Sequence, residues 1–110
     1  MKLQNLPADA TDWPRLPATL TPGQTGAATA RTRQLGEITL RVVHYSPGYV
    51  AGEWCCKGHI ALVVDGTLVI EHRDGSRFPL AAGMSWHVGD DEGAPHRLVS
   101  EAGARVFIVD

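Results

Sequence analysis

The chain has 110 residues, of which 44% are hydrophobic and 20% charged, and its formal net charge is −2. A chain of this length is expected to form one domain around a single core. Its scattered basic residues form no dense Lys/Arg stripe, and no apolar run approaches the roughly 20 residues of a membrane span, so we expect neither a nucleic-acid partner nor a membrane partner.

The N-terminal segment, residues 1–24, differs in composition from the rest of the chain. It contains prolines at positions 7, 14, 17 and 22 and no regular apolar period, which predicts an extended arm rather than a helix. Trp13, Leu16 and Leu20 need a place to be buried, so we expect the arm to lie across the body of the fold or across a partner subunit; a disordered arm is the alternative. The first residues lack the apolar segment of a signal peptide, and we expect a cytoplasmic protein.

Residues 25–110 read as a series of short strands separated by turns. Asp65-Gly66 and Asp74-Gly75 are typical hairpin turns, because glycine takes positive φ freely and aspartate tolerates it. The regular alternation of strand and turn, without a convincing helical period, predicts an all-β sandwich or small barrel. The predicted strands are residues 27–34, 38–45, 49–55, 59–64, 67–72, 77–80, 85–88, 96–100 and 105–109.

In the strand at residues 38–45, Ile38, Leu40 and Val42 share one face, which we expect to point inward. His44 continues this face, so it either lines the barrel interior near a functional site or is a hydrogen-bonded core histidine. Tyr45 is a second candidate for lining the cavity, or else a core or interface residue. Arginines on these strands either present guanidinium groups to an anionic ligand or face water: Arg31, Arg33 and Arg41.

Candidate metal ligands are concentrated between residues 53 and 59. Glu53, Cys55 and His59 are all odd-numbered and therefore project from the same side of an unbroken strand, whereas Cys56 points to the other side and is expected to pack. His96 is the fourth candidate, further along the chain. The alternative is that Cys55 is an inert buried thiol, since cysteine is often buried as a small hydrophobic residue.

This set of donors indicates which ions could bind. A thiolate, imidazoles and a carboxylate suit a divalent transition metal, zinc first, with iron, nickel or copper as alternatives. The thiol of Cys55 remains available for this role, because a disulfide between adjacent Cys55 and Cys56 is disfavoured by geometry. Two free cysteines agree with a reducing compartment.

The order of these residues resembles the cupins, small jelly-roll β-barrels, also described as double-stranded β-helices, that commonly hold a metal through two motifs. The spacing from Glu53 and Cys55 through His59 to Gly66 is that of the first motif with its ligand types permuted, and His96 falls at the histidine of the second. More narrowly, Trp54-Cys55-Cys56-Lys57-Gly58-His59-Ile60, with Tyr45-Ser46-Pro47-Gly48 before it and Pro95-His96-Arg97 after it, resembles the DHCW-motif cupins over nearly the whole chain. One departure is that Gly52-Glu53 stands where that group has an Asp-His pair.

The resemblance implies a cupin barrel at residues 25–110 with a metal site. Either Glu53 completes the set as an oxygen ligand, or the site relies on Cys55, His59 and His96 and Glu53 serves as a general base or faces solvent. One functional hypothesis is a metal-dependent enzyme of oxygenase, isomerase or lyase type that acts on a small molecule. The other hypotheses are a non-catalytic binding or sensor module with a structural zinc or no metal, and a redox-active Cys55 thiol. We expect a homodimer, the commonest symmetric assembly.

Overall fold

The computed structural model describes residues 3–90 and 94–110. A short 3-10 helix at Trp13–Arg15 precedes nine strands. None of the helices in these two ranges is long and apolar enough to cross a membrane. The strands are β1 (Thr19–Pro22), β2 (Ala27–Leu35), β3 (Ile38–Tyr45), β4 (Tyr49–Val50), β5 (His59–His72), β6 (Arg77–Ala81), β7 (Ser85–Val88), β8 (His96–Ser100) and β9 (Ala104–Val109).

All strand pairings are antiparallel, and the long strand β5 belongs to two sheets. The first half of β5 pairs with β9 and β7, and β9 continues the sheet through β3 and β2 to β1. The second half pairs with β6 and β8, and β8 pairs with β4. The chain therefore forms a curled, nearly all-β jelly roll, as its sequence predicts. The buried core between the sheets contains Val43, Ala61, Val63, Leu68, Ile70, Leu80, Trp86, Ala104, Val106 and Ile108.

The hairpin predicted at Asp65-Gly66 is wrong, because these residues lie inside β5. The pairing of β5 with β9 shifts register between Val63 and Asp65, so the inward positions change from odd numbers, such as Val63, to even numbers, such as Leu68. Gly66 has φ +80° and lies against the backbone of Gly103, which leaves no room for a Cβ. The positive φ that lets an Asp-Gly pair form a hairpin turn also lets it form a bulge, at the point where β5 passes from one sheet to the other.

The predicted hairpin at Asp74-Gly75 is confirmed. It joins β5 to β6, and Gly75 has φ +95°. The strand predicted at residues 49–55 is shorter than expected, since β4 ends at Val50 and only an isolated bridge at Cys55 follows. Residues 51–58 therefore form a loop, and a strict two-residue alternation does not govern where Glu53 and Cys55 point.

The inward face predicted for β3 is also wrong. Val43 is buried and Arg41 and Tyr45 line the interior, whereas His44 is exposed on the outer side. The outer side of β3 is also partly apolar, because it is covered by the arm. Val42 lies beside Phe107 of β9, and Trp13 of the arm packs edge-on against Phe107 with ring centroids 6.2 Å apart. Both faces of β3 are therefore covered in part, so alternation alone could not assign them.

The arm lies across the outer side of the first sheet, where Trp13 and Leu16 are half-buried, but the expected burial of Leu20 is wrong, since this side chain is 65% exposed. Arg33 donates from Nη1 to the hydroxyl of Thr11 at 2.8 Å and from Nη2 to Asp9 at 2.6 Å, and Arg31 donates from Nε to the carbonyl of Leu16 at 3.1 Å. Part of the arm is the strand β1, which pairs with β2. Arg31 and Arg33 thus hold the arm, and Arg41 alone of the three predicted arginines lines the interior.

Candidate metal centre

Three of the four predicted ligands converge at one end of the jelly roll. The donor atoms of Cys55, His59 and His96 all lie within 4.8 Å of one another. Cys55 Sγ is 3.3 Å from His59 Nε2, and the two imidazole rings have centroids 5.3 Å apart. Ligand atoms around one tetrahedral zinc ion are separated by about 3.3–3.8 Å, given Zn–N and Zn–S bonds of about 2.0–2.3 Å. The group is therefore close to the size that a single ion requires.

Backbone pairing explains how residues far apart in the chain meet. His59 is the first residue of β5 and His96 the first of β8. The loop between β4 and β5 returns to β8 at Cys55, where Cys55 N donates to His96 O at 2.8 Å and His96 N donates to Cys55 O at 2.9 Å. This reciprocal pair of hydrogen bonds fixes the thiol beside the histidine.

The orientation of His59 is set by Asp110. His59 Nδ1 lies 2.8 Å from Asp110 Oδ2, and Arg41 Nη2 donates to the same oxygen at 2.8 Å. Because a hydrogen bond to a carboxylate places the proton on Nδ1, the lone pair of Nε2 faces Cys55. A carboxylate behind a histidine is the usual outer partner of a metal-binding imidazole, since it fixes the tautomer and raises the basicity of the ligand.

His96 has an unpaired ring nitrogen. Its side chain is 4% exposed, its Nδ1 lies 3.2 Å from the carbonyl oxygen of Ala94, and its Nε2 is buried without a hydrogen-bond partner in the described part of the chain. A buried polar atom without a partner costs about 1–3 kcal/mol, so such atoms call for an explanation. A metal ion bound at Nε2 would supply the missing partner, and the donor set fits such an ion.

Both imidazoles favour their neutral form, which is the form that binds metal. Burial lowers the pKa of His59 below its usual value, against the opposing effect of Asp110. Burial also lowers the pKa of His96, and the neighbouring His59 and His72 add to this effect. At neutral pH neither ring needs to lose a proton before an ion can bind.

Glu53 and Cys56 lie apart from this group. Glu53 is exposed and lines the cavity next to the ligands, but it is not one of the residues whose donor atoms converge. Cys56 is an exposed free thiol. Glu53 as a fourth ligand or as a general base therefore stays a prediction.

A cavity of about 200 Å³ adjoins the three donors. Tyr45 lines it together with Tyr49, and their ring centroids are 4.9 Å apart. Burial raises the pKa of Tyr45 strongly, so its phenol stays protonated at neutral pH. His44 lines a different, outward-facing groove beside Trp13. Among the residues that line the cavity, Glu53 of the loop at residues 51–58 is exposed to solvent.

Sequence reasoning missed two residues of this region. Asp110 continues the inward face of Val106 and Ile108 on β9, and His72 continues that of Ile70 on β5. His72 is the cross-strand partner of His96, with ring centroids 5.7 Å apart, and its Nε2 is buried without a partner among the described residues. Extending the alternation past the last apolar residue of each strand would have identified both.

Replacing Asp110 by asparagine is expected to weaken zinc binding by about 10–100-fold, the usual effect of removing an outer partner of a ligand histidine. Asparagine keeps the shape but loses the charge that fixes the His59 tautomer. Competition with a chromogenic chelator measures the affinity, and Asp12→Asn, an exposed aspartate paired only with Arg15, is the control. Equal zinc affinities of Asp110→Asn and the parent would show that Asp110 does not support the site.

No protein-family model and no curated protein matches this sequence. Solved structures match its fold. A predicted oxalate decarboxylase from Thermotoga maritima aligns with a TM-score of 0.77 at 13% identity, covering 92% of this chain and 96% of that chain. An RmlC-like cupin from Shewanella frigidimarina aligns with a TM-score of 0.72 at 16% identity, covering 96% and 92%. A sugar phosphate isomerase of a cupin superfamily from Silicibacter pomeroyi aligns with a TM-score of 0.71 at 16% identity, covering 92% and 74%. These likenesses show that the chain has the cupin fold.

Proposed function

We propose that this protein binds one divalent transition metal ion through Cys55, His59 and His96 and uses it to act on, or sense, a small molecule in the adjoining cavity. The proposed metal is zinc, with iron, nickel or copper as alternatives, because a thiolate with two imidazoles suits borderline and soft divalent ions. The narrower resemblance to the DHCW-motif cupins supports the same three residues as ligands.

The observation that carries the proposal is the convergence of His96 with a thiol and a second imidazole, together with the buried His96 Nε2, which has no hydrogen-bond partner among the described residues. Buried ring nitrogens usually have hydrogen-bond partners; His72 also has a buried Nε2 without one among the described residues, but only His96 converges with other donors there. Here Nδ1 of each histidine has an oxygen acceptor, Asp110 for His59 and Ala94 for His96, and each Nε2 is left for another partner. That division of roles is typical of metal-binding imidazoles.

Three protein ligands beside a cavity favour an active or ligand-binding metal over a structural one. Structural zinc sites are closed by four protein ligands, whereas catalytic sites keep an open position. Glu53, the remaining candidate, is exposed and outside the converging group. An ion held by the other three would keep a free position toward the cavity, where it would supply Lewis-acid or water-activating chemistry. Two structural neighbours, the predicted oxalate decarboxylase and the sugar phosphate isomerase, are compatible with a lyase or isomerase role.

A second candidate is a reactive thiol without metal. The 3.3 Å separation of Cys55 Sγ from His59 Nε2 favours it, because an adjacent imidazole can stabilise a thiolate. The unpaired Nε2 of His96 has no role in this scheme, which is why we favour the metal.

Elemental analysis of protein purified without chelator or affinity metal tests the proposal. We expect about one equivalent of a transition metal per chain, lost in His59→Ala and kept in His87→Ala, a histidine on β7 that lies outside the converging group. The identity of the metal then separates redox-capable chemistry from zinc-type roles. Absence of metal, together with no uptake of zinc, iron, nickel or copper on titration, would refute the proposal and favour the thiol.

We also propose that the protein is a cytoplasmic homodimer that pairs through the outer side of the first sheet. Ile60, Leu62 and Val64 of β5 are 50%, 40% and 45% exposed and form an apolar row beside the groove lined by Trp13 and Phe107. Contiguous exposed apolar surface of this kind is typical of association sites. Sedimentation analysis should give a dimer for the parent and a monomer for Leu62→Glu. A parent chain that is monomeric at high micromolar concentration would contradict the proposal.

A further inference from the structure

The candidate metal centre is backed by side chains on the outer side of the sheet that β8 shares with β5. Cys55 exchanges two backbone hydrogen bonds with His96, so these residues form a cross-strand pair whose side chains point to the same, inner side. The residues next to such an antiparallel pair face each other on the opposite side of the sheet. Trp54 therefore lies opposite Arg97, behind the thiol and the imidazole.

Trp54 and Arg97 are stacked on this outer side. The central guanidinium carbon of Arg97 lies 4.7 Å from the centroid of the Trp54 ring, within the roughly 6 Å over which a cation is attracted to an aromatic face. A second guanidinium, that of the exposed Arg73, lies 5.6 Å from the same centroid. Trp54 is half-buried although it belongs to the loop at residues 51–58. Its indole thus attaches the loop to the sheet.

The guanidinium of Arg97 is itself fixed in position. Its cross-strand partner on β5 is Glu71, and Arg97 Nε donates to Glu71 Oε2 at 3.1 Å. The two side chains are 27% and 23% exposed, so the ion pair is largely withdrawn from solvent. A planar guanidinium bonded in this way has a restricted orientation and offers one face to the indole.

Two parallel rows of side chains therefore cross the same three segments of backbone. The inner row is Cys55, His96 and His72, and the outer row is Trp54, Arg97 and Glu71. The outer row faces away from the ligand atoms, but it shares its backbone with them. A displacement of Trp54 away from Arg97 therefore also moves the adjacent thiol away from His96.

The attachment matters because the loop at residues 51–58 has few other contacts. Among the described residues, its hydrogen bonds to other segments are made at Ala51, Cys55 and Gly58. The residues on either side of Trp54 and Cys55 are exposed. A loop with so little buried surface opens at a low cost in free energy. A ligand on such a loop binds its ion more weakly, in proportion to the fraction of molecules in which the loop is displaced.

We propose that Trp54 is a positioning residue for the candidate metal centre. Its stack on Arg97, which Glu71 holds in place, keeps the loop against β8 and the Cys55 thiol beside His96 before an ion binds. This inference rests on the proposed function, because the thiol that is positioned is the one that would bind the ion. The stack increases the fraction of molecules with the thiol in place, and the apparent affinity for metal rises by the same factor.

The zinc affinity of the full chain, measured by competition with a chromogenic chelator, tests this role. Trp54→Ala should weaken zinc binding about 3–30-fold, the range that a cation stacked on an aromatic ring contributes. Trp54→Phe keeps an aromatic face and should lose less, and it carries the test if Trp54→Ala does not fold. Trp13→Ala removes a half-buried tryptophan from the outer side of the first sheet. This control should keep the zinc affinity of the parent even where it lowers the stability of the fold.

A double-mutant cycle shows whether Trp54 acts through Arg97. Arg97→Gln should also weaken zinc binding, and the double variant should bind zinc about as Trp54→Ala does, because both changes remove the same contact. Arg77→Gln is the control, since Arg77 is an exposed arginine 3.7 Å from Glu71, and this variant should bind zinc like the parent. Unchanged zinc affinity in Trp54→Ala and Trp54→Phe, or losses that add in full in the double variant, would overturn the positioning role.

A measurement without metal keeps the two proposals apart. In metal-free Cys56→Ser protein, the rate of alkylation by iodoacetamide reports the accessibility of the Cys55 thiol alone. We expect Trp54→Ala to raise this rate severalfold and Trp13→Ala to leave it unchanged. An unchanged rate in Trp54→Ala would overturn the positioning role. A raised rate in a protein that takes up no zinc, iron, nickel or copper would instead refute the proposed metal function and leave the positioning role standing.

Discussion

Replacing Cys55 by serine is expected to reduce zinc affinity by more than about 100-fold, beyond what the loss of an outer partner causes. Cys55 is the one residue of the converging group that can bind an ion as an anion, and its Sγ lies 3.3 Å from the Nε2 of His59. Serine has a similar shape, but its hydroxyl remains protonated at neutral pH and is a poor zinc ligand. Cys55→Ser should therefore lose the charge that holds the ion and keep the fold.

The adjacent cysteine provides a matched control. Cys56 is exposed and outside the group, so Cys56→Ser should bind zinc like the parent. With free zinc at 100 times the parent dissociation constant, binding should stabilise the parent and Cys56→Ser by about 2.7 kcal/mol, and Cys55→Ser by about 0.4 kcal/mol or less. Thermal or urea unfolding with and without zinc measures the difference. Cobalt substitution adds a direct readout, since a thiolate-to-cobalt charge-transfer band should vanish in Cys55→Ser alone.

Either of two results would count against the site. Equal loss of zinc affinity in both serine variants would indicate that the two thiols bind together or interchangeably. Unchanged affinity in Cys55→Ser, with the charge-transfer band retained, would mean that Cys55 is not a ligand.

Gly66→Ala is expected to destabilise the fold by about 2–5 kcal/mol, the largest stability effect that we predict for one methyl group. Alanine at φ +80° costs about 1–2 kcal/mol in backbone strain. The added Cβ would also overlap Gly103 O and lie 2.8 Å from Ala104 Cα, both of them backbone atoms that cannot turn away. Overpacking of this kind adds about 1–3 kcal/mol.

Gly75→Ala separates the two contributions. Gly75 also has positive φ, +95°, but a Cβ there meets nothing within 4 Å. This variant should lose only the strain energy, about 1–2 kcal/mol. Urea unfolding of both variants gives the comparison. Equal losses would mean that β5 and the turn before β9 do not approach each other as closely as the structure has them.

The bend at Gly66 matters for the site because it sets the direction of both halves of β5. The shift at Val63 to Asp65 places His59 on the inward side of one half and His72 on the inward side of the other. A straight strand with unbroken alternation would place one of these histidines outside. The position of His72 beside His96, next to the candidate metal centre, therefore depends on a backbone irregularity several residues away.

Local sequence patterns determined the fold class, the approximate strand positions and the identity of the residues that converge. Alternating β-branched residues and frequent turn dipeptides are local signals, and they predicted an all-β sandwich or small barrel; the jelly roll was implied by the resemblance to the cupins. The Cys55, His59 and His96 candidates came from ligand chemistry and motif spacing, which also depend only on sequence. The hairpin at Asp74-Gly75 was predictable because no other segment competes for those residues.

Tertiary structure determined which face of each strand points inward and which distant residues come into contact. Residues 38–45 have apolar side chains on both faces. The packing of Trp13 on Phe107 shows that the arm covers the outer face. Tyr45 therefore points inward and His44 outward. Asp65-Gly66 is a bulge because Gly103 lies against it, a contact between distant parts of the chain. The pairing of Asp110 with His59 and Arg41 likewise depends on strand pairings between distant segments. Such pairings are fixed by the packing of the whole core, which local periodicity does not encode.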